Sequence, residues 1–231
     1  MKNNLTEKDI EVLKKWAEAY DIDELKIKDK EKIFNLEELH ITRHNLTELP
    51  KEIGILTNLK ILDIEYYKLK ELPKEIFNLI NLEELYISSV SLTELPKEIG
   101  ILTNLKILNI GYNDLNELPK EIYNLINLEE LSIGSESLTE LPKEIGNLTN
   151  LKSLDIDCYL NELPKEIYNL INLKALYIMS DNLESFPDGI ERLTNLEILA
   201  IFGKPCNLKI LPIEEIKKLN NIKELEIRLK E

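Results

Sequence analysis

Cysteine is nearly missing from this chain: Cys158 and Cys206 are the two among 231 residues. That excludes the disulfide framework that staples small extracellular domains and points to a reducing compartment. Long apolar runs are missing too. The opening stretch MKNNLTEKDIEVLKKW holds no apolar run long enough for a secretory signal, and no later stretch can span a membrane as a helix. A cytoplasmic location, or export without a recognisable signal peptide, is expected. Positive charge is scarce, with 29 Lys and Arg against 43 Asp and Glu and a net charge of −14. Such a surface repels phosphate backbones and anionic membranes, so neither nucleic acid nor membrane is expected as a partner. A protein or peptide with a basic surface is favoured instead, chiefly through faster encounter.

Signatures of catalysis are lacking as well. There is no P-loop, no G-x-S-x-G and no C-x-x-C. The two histidines, His40 and His44, stand in H-I-T-R-H, on a strand and its turn, where they do not converge. His40 beside Asp63 reads as a surface ion pair rather than a general-base pair, since no nucleophile accompanies it. The chain is expected not to be an enzyme and to use no cofactor. Three N-x-T sequons, at Asn4, Asn45 and Asn147, read as by-products of a repeat rich in Asn and Thr.

What is present in abundance is repetition. Prolines stand at 50, 73, 96, 119, 142, 164, 187 and 212, spaced by 23, 23, 23, 23, 22, 23 and 25 residues. Around them runs L-x-x-L-x-I-x-x-x-x-L-x-E-L-P-K-E-I-x-x-L-x-N. A fixed period of this length means a stack of similar units, a solenoid, in which each unit buries its apolar side against its neighbours. Eight repeats begin at Leu36, Leu59, Leu82, Leu105, Leu128, Leu151, Leu173 and Leu196 and fill residues 36–221. A ninth, in residues 222–231, stops after one strand, Leu225-Glu226-Ile227. The alternation in L-x-I predicts a short strand in each repeat, nine or ten in all, lined up in parallel. The L-P-K-E-I-x-x-L segment is too short for more than a helical or 3₁₀ turn. Cys158 and Cys206 lie two repeats apart, roughly 10 Å at about 4.8 Å per strand, too far for a disulfide.

Residues 1–21 differ from the rest. Thr6 suits an N-cap, Leu5 a staple, and Glu7 and Asp9 the first turn. Ile10, Leu13, Ala17 and Tyr20, with Trp16 beside them, share one helical face. The expectation is an amphipathic helix capping the open end of the stack. Residues 22–35 read as a shortened repeat, with Ile22, Leu25 and Ile27 at the first apolar positions. Cap and solenoid would form one structural domain.

The repeat resembles the leucine-rich repeat, in its 23-residue form with LPKEIGNLTNL-like segments common in bacterial proteins. The likeness spans about residues 36–229. It implies an α/β solenoid, a horseshoe with a parallel β-sheet on the concave side, whose ligands are usually protein surfaces docked on that side. Two departures stand out. The family places Asn at the ninth position, where its amide bonds the turns; here only Asn113 obeys, while His44, Tyr67, Val90, Glu136 and Asp181 replace it. Repeat six is one residue short, and repeat eight carries extra residues around Phe202-Gly203-Lys204-Pro205-Cys206, expected to bulge at the sheet edge.

The repeats also form an internal alignment. Residues 46–62 and 92–108 are both LTELPKEIGILTNLKIL, whereas Asp63-Ile64-Glu65-Tyr66-Tyr67-Lys68 faces Asn109-Ile110-Gly111-Tyr112-Asn113-Asp114 directly afterwards. Meanwhile Lys51, Lys74, Lys97, Lys120, Lys143 and Lys165 never vary. Divergence confined to one side reads as a tuned binding surface. With the fourth and sixth positions inward, the third, fifth and seventh project from the concave face. Two patches follow. Ile61, Tyr66, Tyr86, Ile107 and Tyr112 form one, flanked by Asp63 and Glu65. Tyr177, Met179, Ile198 and Phe202 form the other, beside Glu130, Asp155 and Asp157. Aromatic anchors suit interface hot spots, and carboxylates suit Lys or Arg on a partner; cross-strand stacking that stiffens the sheet is the competing account. The acidic trio lacks the six or more arranged oxygens that Ca²⁺ prefers, so no metal is expected. Alternation of Gly54, Gly100 and Gly146 with Phe77, Tyr123 and Tyr168 reads as a packing device. The charges on the last strand discourage edge pairing, so a monomer is expected.

Overall fold

The structure, a computed structural model, describes residues 7–42, 46–65, 68–203 and 211–229. Each L-x-I segment forms a strand: β1 Glu38–Thr42, β2 Ile61–Glu65, β3 Glu84–Ser88, β4 Ile107–Asn113, β5 Glu130–Ser135, β6 Ser153–Cys158, β7 Ala175–Met179, β8 Ile198–Gly203 and β9 Glu224–Leu229. They pair in chain order into one nine-stranded parallel sheet. Register is set by the pattern itself. Leu62 lies beside Leu39 and Leu85, and Ile64 beside Ile41 and Ile87, because a slip by one residue would turn every apolar side chain to solvent. The fourth and sixth residues are buried in each of β1–β8, while the third, fifth and seventh line the opposite, open face.

Behind the sheet the chain returns through a 3₁₀ turn started by the column proline. In the third repeat Pro96 has φ −59°, close to what the first helical turn needs, and its carbonyl accepts from Ile99 N at 3.0 Å. Leu82, Leu85, Ile87, Leu92, Leu95, Ile99 and Leu102 of that repeat are all buried, and the same columns recur down the stack as one continuous core. The turns do not space evenly. Lys51–Ile55 packs on Lys74–Asn78, Lys97–Ile101 on Lys120–Asn124, and Lys143–Asn147 on Lys165–Asn169, with looser contact between these pairs. Phe77, Tyr123 and Tyr168 are buried, and Tyr168 Oη donates to Pro187 O at 2.9 Å. The alternating glycines and rings are thus structural.

Helix α1, Glu7–Tyr20, buries Ile10, Leu13, Trp16 and Ala17 in the core that the repeats share. The expected cap and staple, Thr6 and Leu5, lie outside the described residues. Ile22, Leu25 and Ile33 are buried and Ile27 is half-buried. Yet Asp23–Leu25 is a 3₁₀ turn leading to α2, Lys30–Phe34, so the sheet has nine described strands and begins at β1. Asp21 is left-handed (φ 59°), and Lys26 pairs with both Asp21 and Asp23. These contacts fold the segment into a turn instead of extending it. At the other end α3, Ile213–Ile216, replaces the 3₁₀ turn of repeat eight. The insertion after Gly203, including Cys206, lies outside the described residues.

Two polar columns hold the repeats in register. The closing Asn of each repeat, from Asn58 to Asn221, donates through Nδ2 to a backbone carbonyl of the preceding repeat at 2.7–2.9 Å. The second column settles how turns without a ninth-position Asn are satisfied. The eighth residue points inward, and Ser89, Ser135 and Ser180 hydroxyls donate to Leu69 O, Leu115 O and Leu160 O at 2.8, 2.8 and 3.0 Å. Asn113 reaches the same place because β4 bulges between Ile110 and Asn113, which sets Asn113 beside Ser135. There Asn113 accepts from Ser89 N and donates to Ile87 O and Gly111 O. Asn113→Ala would strand three buried backbone groups and is expected to cost about 2–4 kcal/mol, against about 1 kcal/mol for the exposed, single-bond Asn127→Ala. Thermal melts of the two variants check the ranking.

Candidate protein-binding face

The open face carries the expected ladders in register. Ile61, Glu84 and Ile107 are neighbours across β2–β4, and Asp63 lies beside Tyr86. Tyr86 is half-buried and its hydroxyl donates to Glu84 Oε2 at 2.8 Å. Burial first, and then that carboxylate, push its phenol up to about 12. His40 Nδ1 stands 3.3 Å from Asp63 Oδ2 at the edge of this patch. Glu65 is exposed at the end of β2. Tyr66 lies outside the described residues.

Tyr112 does not join this patch. It sits on the β4 bulge with φ 53° and is 77 % exposed. Gly134 on the next strand makes room for the bulge, since a Cβ there would stand 2.8 Å from Tyr112 N. Tyr112 instead lines an open groove of about 640 Å³ along the C-terminal ends of the strands, shared with Asp157, Met179 and Phe202. Sequence patterning put these four in two separate patches; the bulge brings them to one groove. Val90, Glu136 and Asp181 also line it. These are ninth-position residues, read from the sequence only as missing turn asparagines. With Asp114 and Asp157, the lining holds four acidic side chains and no Lys, Arg or His among the described residues.

Residues of the second patch fall on neighbouring strands. Asp155 is beside Tyr177, Asp157 beside Met179, and Met179 beside Phe202. Tyr177 and Ile198 are half-buried on the same face. Glu130 lies one strand away, beside Ser153. Burial and the charge of Asp157 hold the Asp155 carboxyl above its ordinary value, with a hydrogen bond from Ser132 opposing them. Cys158 is buried below the groove, and burial pushes its thiol up to about 12, which keeps it a weak nucleophile.

The N-terminal ends of the strands are built differently. Lys60–Glu37, Lys106–Glu83, Lys152–Glu129 and Lys223–Glu197 pair between neighbouring repeats at 2.5–2.7 Å. The clefts there are lined by the first three of these pairs, Lys174 and the closing asparagines. This edge is polar and already engaged with itself, whereas the groove at the opposite edge presents aromatic and acidic groups together.

A parallel one-strand-per-repeat sheet with one open face defines a leucine-rich-repeat solenoid. The leucine-rich repeat region family matches residues 122–231, and the single leucine rich repeat matches 104–125. The chain belongs to the leucine-rich repeat family. It is similar to a leucine-rich repeat protein of Leptospira interrogans at 37 % identity and TM-score 0.75, covering 89 % of this chain and 53 % of that one. It therefore spans about half the length of that relative. The leucine-rich repeat domain of the type III effector XopL is 30 % identical with TM-score 0.70, covering 84 % of this chain and 70 % of that one. The plant peptide hormone receptor RGFR1, solved in complex with RGF2, is 31 % identical with TM-score 0.67, covering 84 % of this chain and 32 % of that one. No curated protein matches the sequence. Among the described residues no helix is long and apolar enough to cross a membrane.

Proposed function

We propose that the chain is a non-enzymatic scaffold that holds a partner protein with a basic surface on its concave face. The observation that carries this reading is the groove at the strand ends, where Tyr112, Met179 and Phe202 stand among Asp114, Glu136, Asp157 and Asp181. Apolar anchors ringed by carboxylates suit a partner offering apolar side chains flanked by Lys or Arg. One-sided divergence supports it: the duplicated block 46–62 and 92–108 is identical, while the strand ends that follow are rewritten. Ile61, Asp63, Glu65, Tyr86 and Ile107 would extend the surface toward the N-terminal repeats, and Asp155, Tyr177 and Ile198 toward the sheet centre. Helix α1 serves as the cap of the stack in this reading.

A second setting uses the same surface. Likeness to the leucine-rich repeat domain of a type III effector favours a bacterial effector or surface protein engaging a host target. A binding portion of a larger enzyme is a further setting, consistent with a chain that spans 53 % of its Leptospira relative.

The test is capture of partners on the parent protein and on two folded variants. One carries Tyr112→Ser, Met179→Ser and Phe202→Ser; the other carries Tyr86→Ser and Tyr177→Ser. A basic protein held by the parent and lost by the first variant is expected, with a smaller loss in the second. Equal capture by all three would sink the reading and direct attention to the outer turns.

A further inference from the structure

We propose that the groove at the strand ends takes one extended segment of the partner, a polyproline II helix with proline at every third residue and Lys or Arg between the prolines. This occupant rests on the reading of the groove as the partner site and gives that partner a shape. Two observations lead there. The first is the spacing of the rings. Among the described residues the groove has three aromatic side chains, Tyr112, Tyr159 and Phe202. They belong to repeats four, six and eight, and the β4 bulge carries the first of them. Neighbouring parallel strands stand about 4.8 Å apart, so rings two repeats apart recur about every 9.6 Å. A polyproline II helix has three residues per turn and rises about 3.1 Å per residue, which returns the same face about every 9.3 Å. Over the two intervals from Tyr112 to Phe202 the mismatch stays under about 1 Å. Two turns of an α-helix cover about 10.8 Å and drift by about 2.4 Å over the same length. A β-strand returns its face about every 6.7 Å and misses the second ring by about 3 Å.

The second observation is what stands between the rings. Glu136 belongs to repeat five, between Tyr112 and Tyr159, and Asp181 to repeat seven, between Tyr159 and Phe202. Ring and carboxylate therefore alternate repeat by repeat across neighbouring strands of one sheet. Both series have the same two-repeat period, and each is offset from the other by one repeat. Aromatic-lined grooves hold polyproline segments because proline packs on the rings and because such a ligand is already ordered before it binds. A ligand with proline every third residue would set one proline on each ring. A long cationic side chain on a residue between two prolines would then reach the intervening carboxylate in a charge-assisted hydrogen bond.

Fluorescence anisotropy of labelled peptides titrated with the 231-residue chain tests this. Pro-Arg-Ser-Pro-Arg-Ser-Pro carries the proposed period. Ala-Arg-Ser-Ala-Arg-Ser-Ala keeps its charge without the polyproline bias, and Ser-Pro-Pro-Arg-Arg-Ser-Pro keeps its composition without the period. The first should bind at least about tenfold more tightly than either of the others. Tyr112→Asn removes a ring and suits the left-handed backbone there, and Glu136→Gln removes a charge at an exposed site. Each should weaken binding of the first peptide about fivefold or more. Equal binding of all three peptides, as attraction to a net charge of −14 alone would give, would overturn the proposal. So would no binding of the first peptide up to about 1 mM, or binding indifferent to both substitutions. Partner capture on the Tyr112→Ser, Met179→Ser, Phe202→Ser variant reads the groove independently of any peptide. Loss of capture beside a failed peptide would overturn this occupant and leave the groove as the partner site, whereas unchanged capture would remove the site as well.

Discussion

Alanine at Gly54 is expected to destabilise the protein by about 2–4 kcal/mol, more than most single-methyl additions. A Cβ there would lie 2.2 Å from the carbonyl oxygen of Glu75 and 2.7 Å from its carbon. Both are backbone atoms of the next repeat's turn, so no rotamer change relieves the clash. The two turns would have to separate, and they are one of the tightly packed pairs on the back of the sheet. At roughly 2–4 °C per kcal/mol for a chain of this size, the melting temperature should fall by about 5–15 °C. Gly100→Ala and Gly146→Ala should cost less, since their nearest backbone oxygens stand at 2.7 Å. Melting within about a degree of the parent would show that the turns separate freely and that the pairing carries little energy.

Leu13→Asp should have a comparable effect by a different route. Leu13 is fully buried in α1, and an aspartate there loses the leucine's packing and leaves a carboxylate without solvent, about 3–5 kcal/mol together. Because a solenoid is coupled through nearest neighbours, the damage should be local. Amide exchange should accelerate in β1 and β2 while β5–β7 keep their protection. Uniform loss of protection along the sheet would contradict nearest-neighbour coupling, and unchanged exchange in β1 would contradict a capping role for α1.

Much of this architecture is legible as periodicity. A chain that repeats Leu-x-x-Leu-x-Ile with a turn proline each 22–25 residues has one way to bury all those side chains, and the observed strands and turns follow it. The closing Asn column is equally visible, but its role is not, because a periodic Asn does not by itself say which carbonyl of the preceding repeat its amide meets. Residues 22–35 show the opposite case. Their apolar spacing resembles a repeat, and Ile22, Leu25 and Ile33 are buried, but local ion pairs to Lys26 and the left-handed Asp21 accompany a turn. Apolar spacing reports which residues seek the core; it does not report whether the backbone between them is extended.

The candidate site was half legible. Ladder positions along the strands follow from alternation alone, and Asp155, Asp157, Tyr177, Met179 and Phe202 stand where alternation puts them. Tyr112 does not, because a one-residue bulge shifts which residue faces inward without changing the length of the repeat.

By itself, the sequence determined the class of fold, the strand register, the buried columns and the acidic surface, since each depends on local pattern repeated many times. Tertiary structure alone decided which eighth or ninth residue turns inward, how the back turns pair and that Tyr112 lines one groove with Met179 and Phe202. Those outcomes rest on single close approaches between neighbouring repeats, Gly54 to Glu75 and Gly134 to Tyr112, and a contact between two backbones leaves no periodic trace in either stretch of sequence.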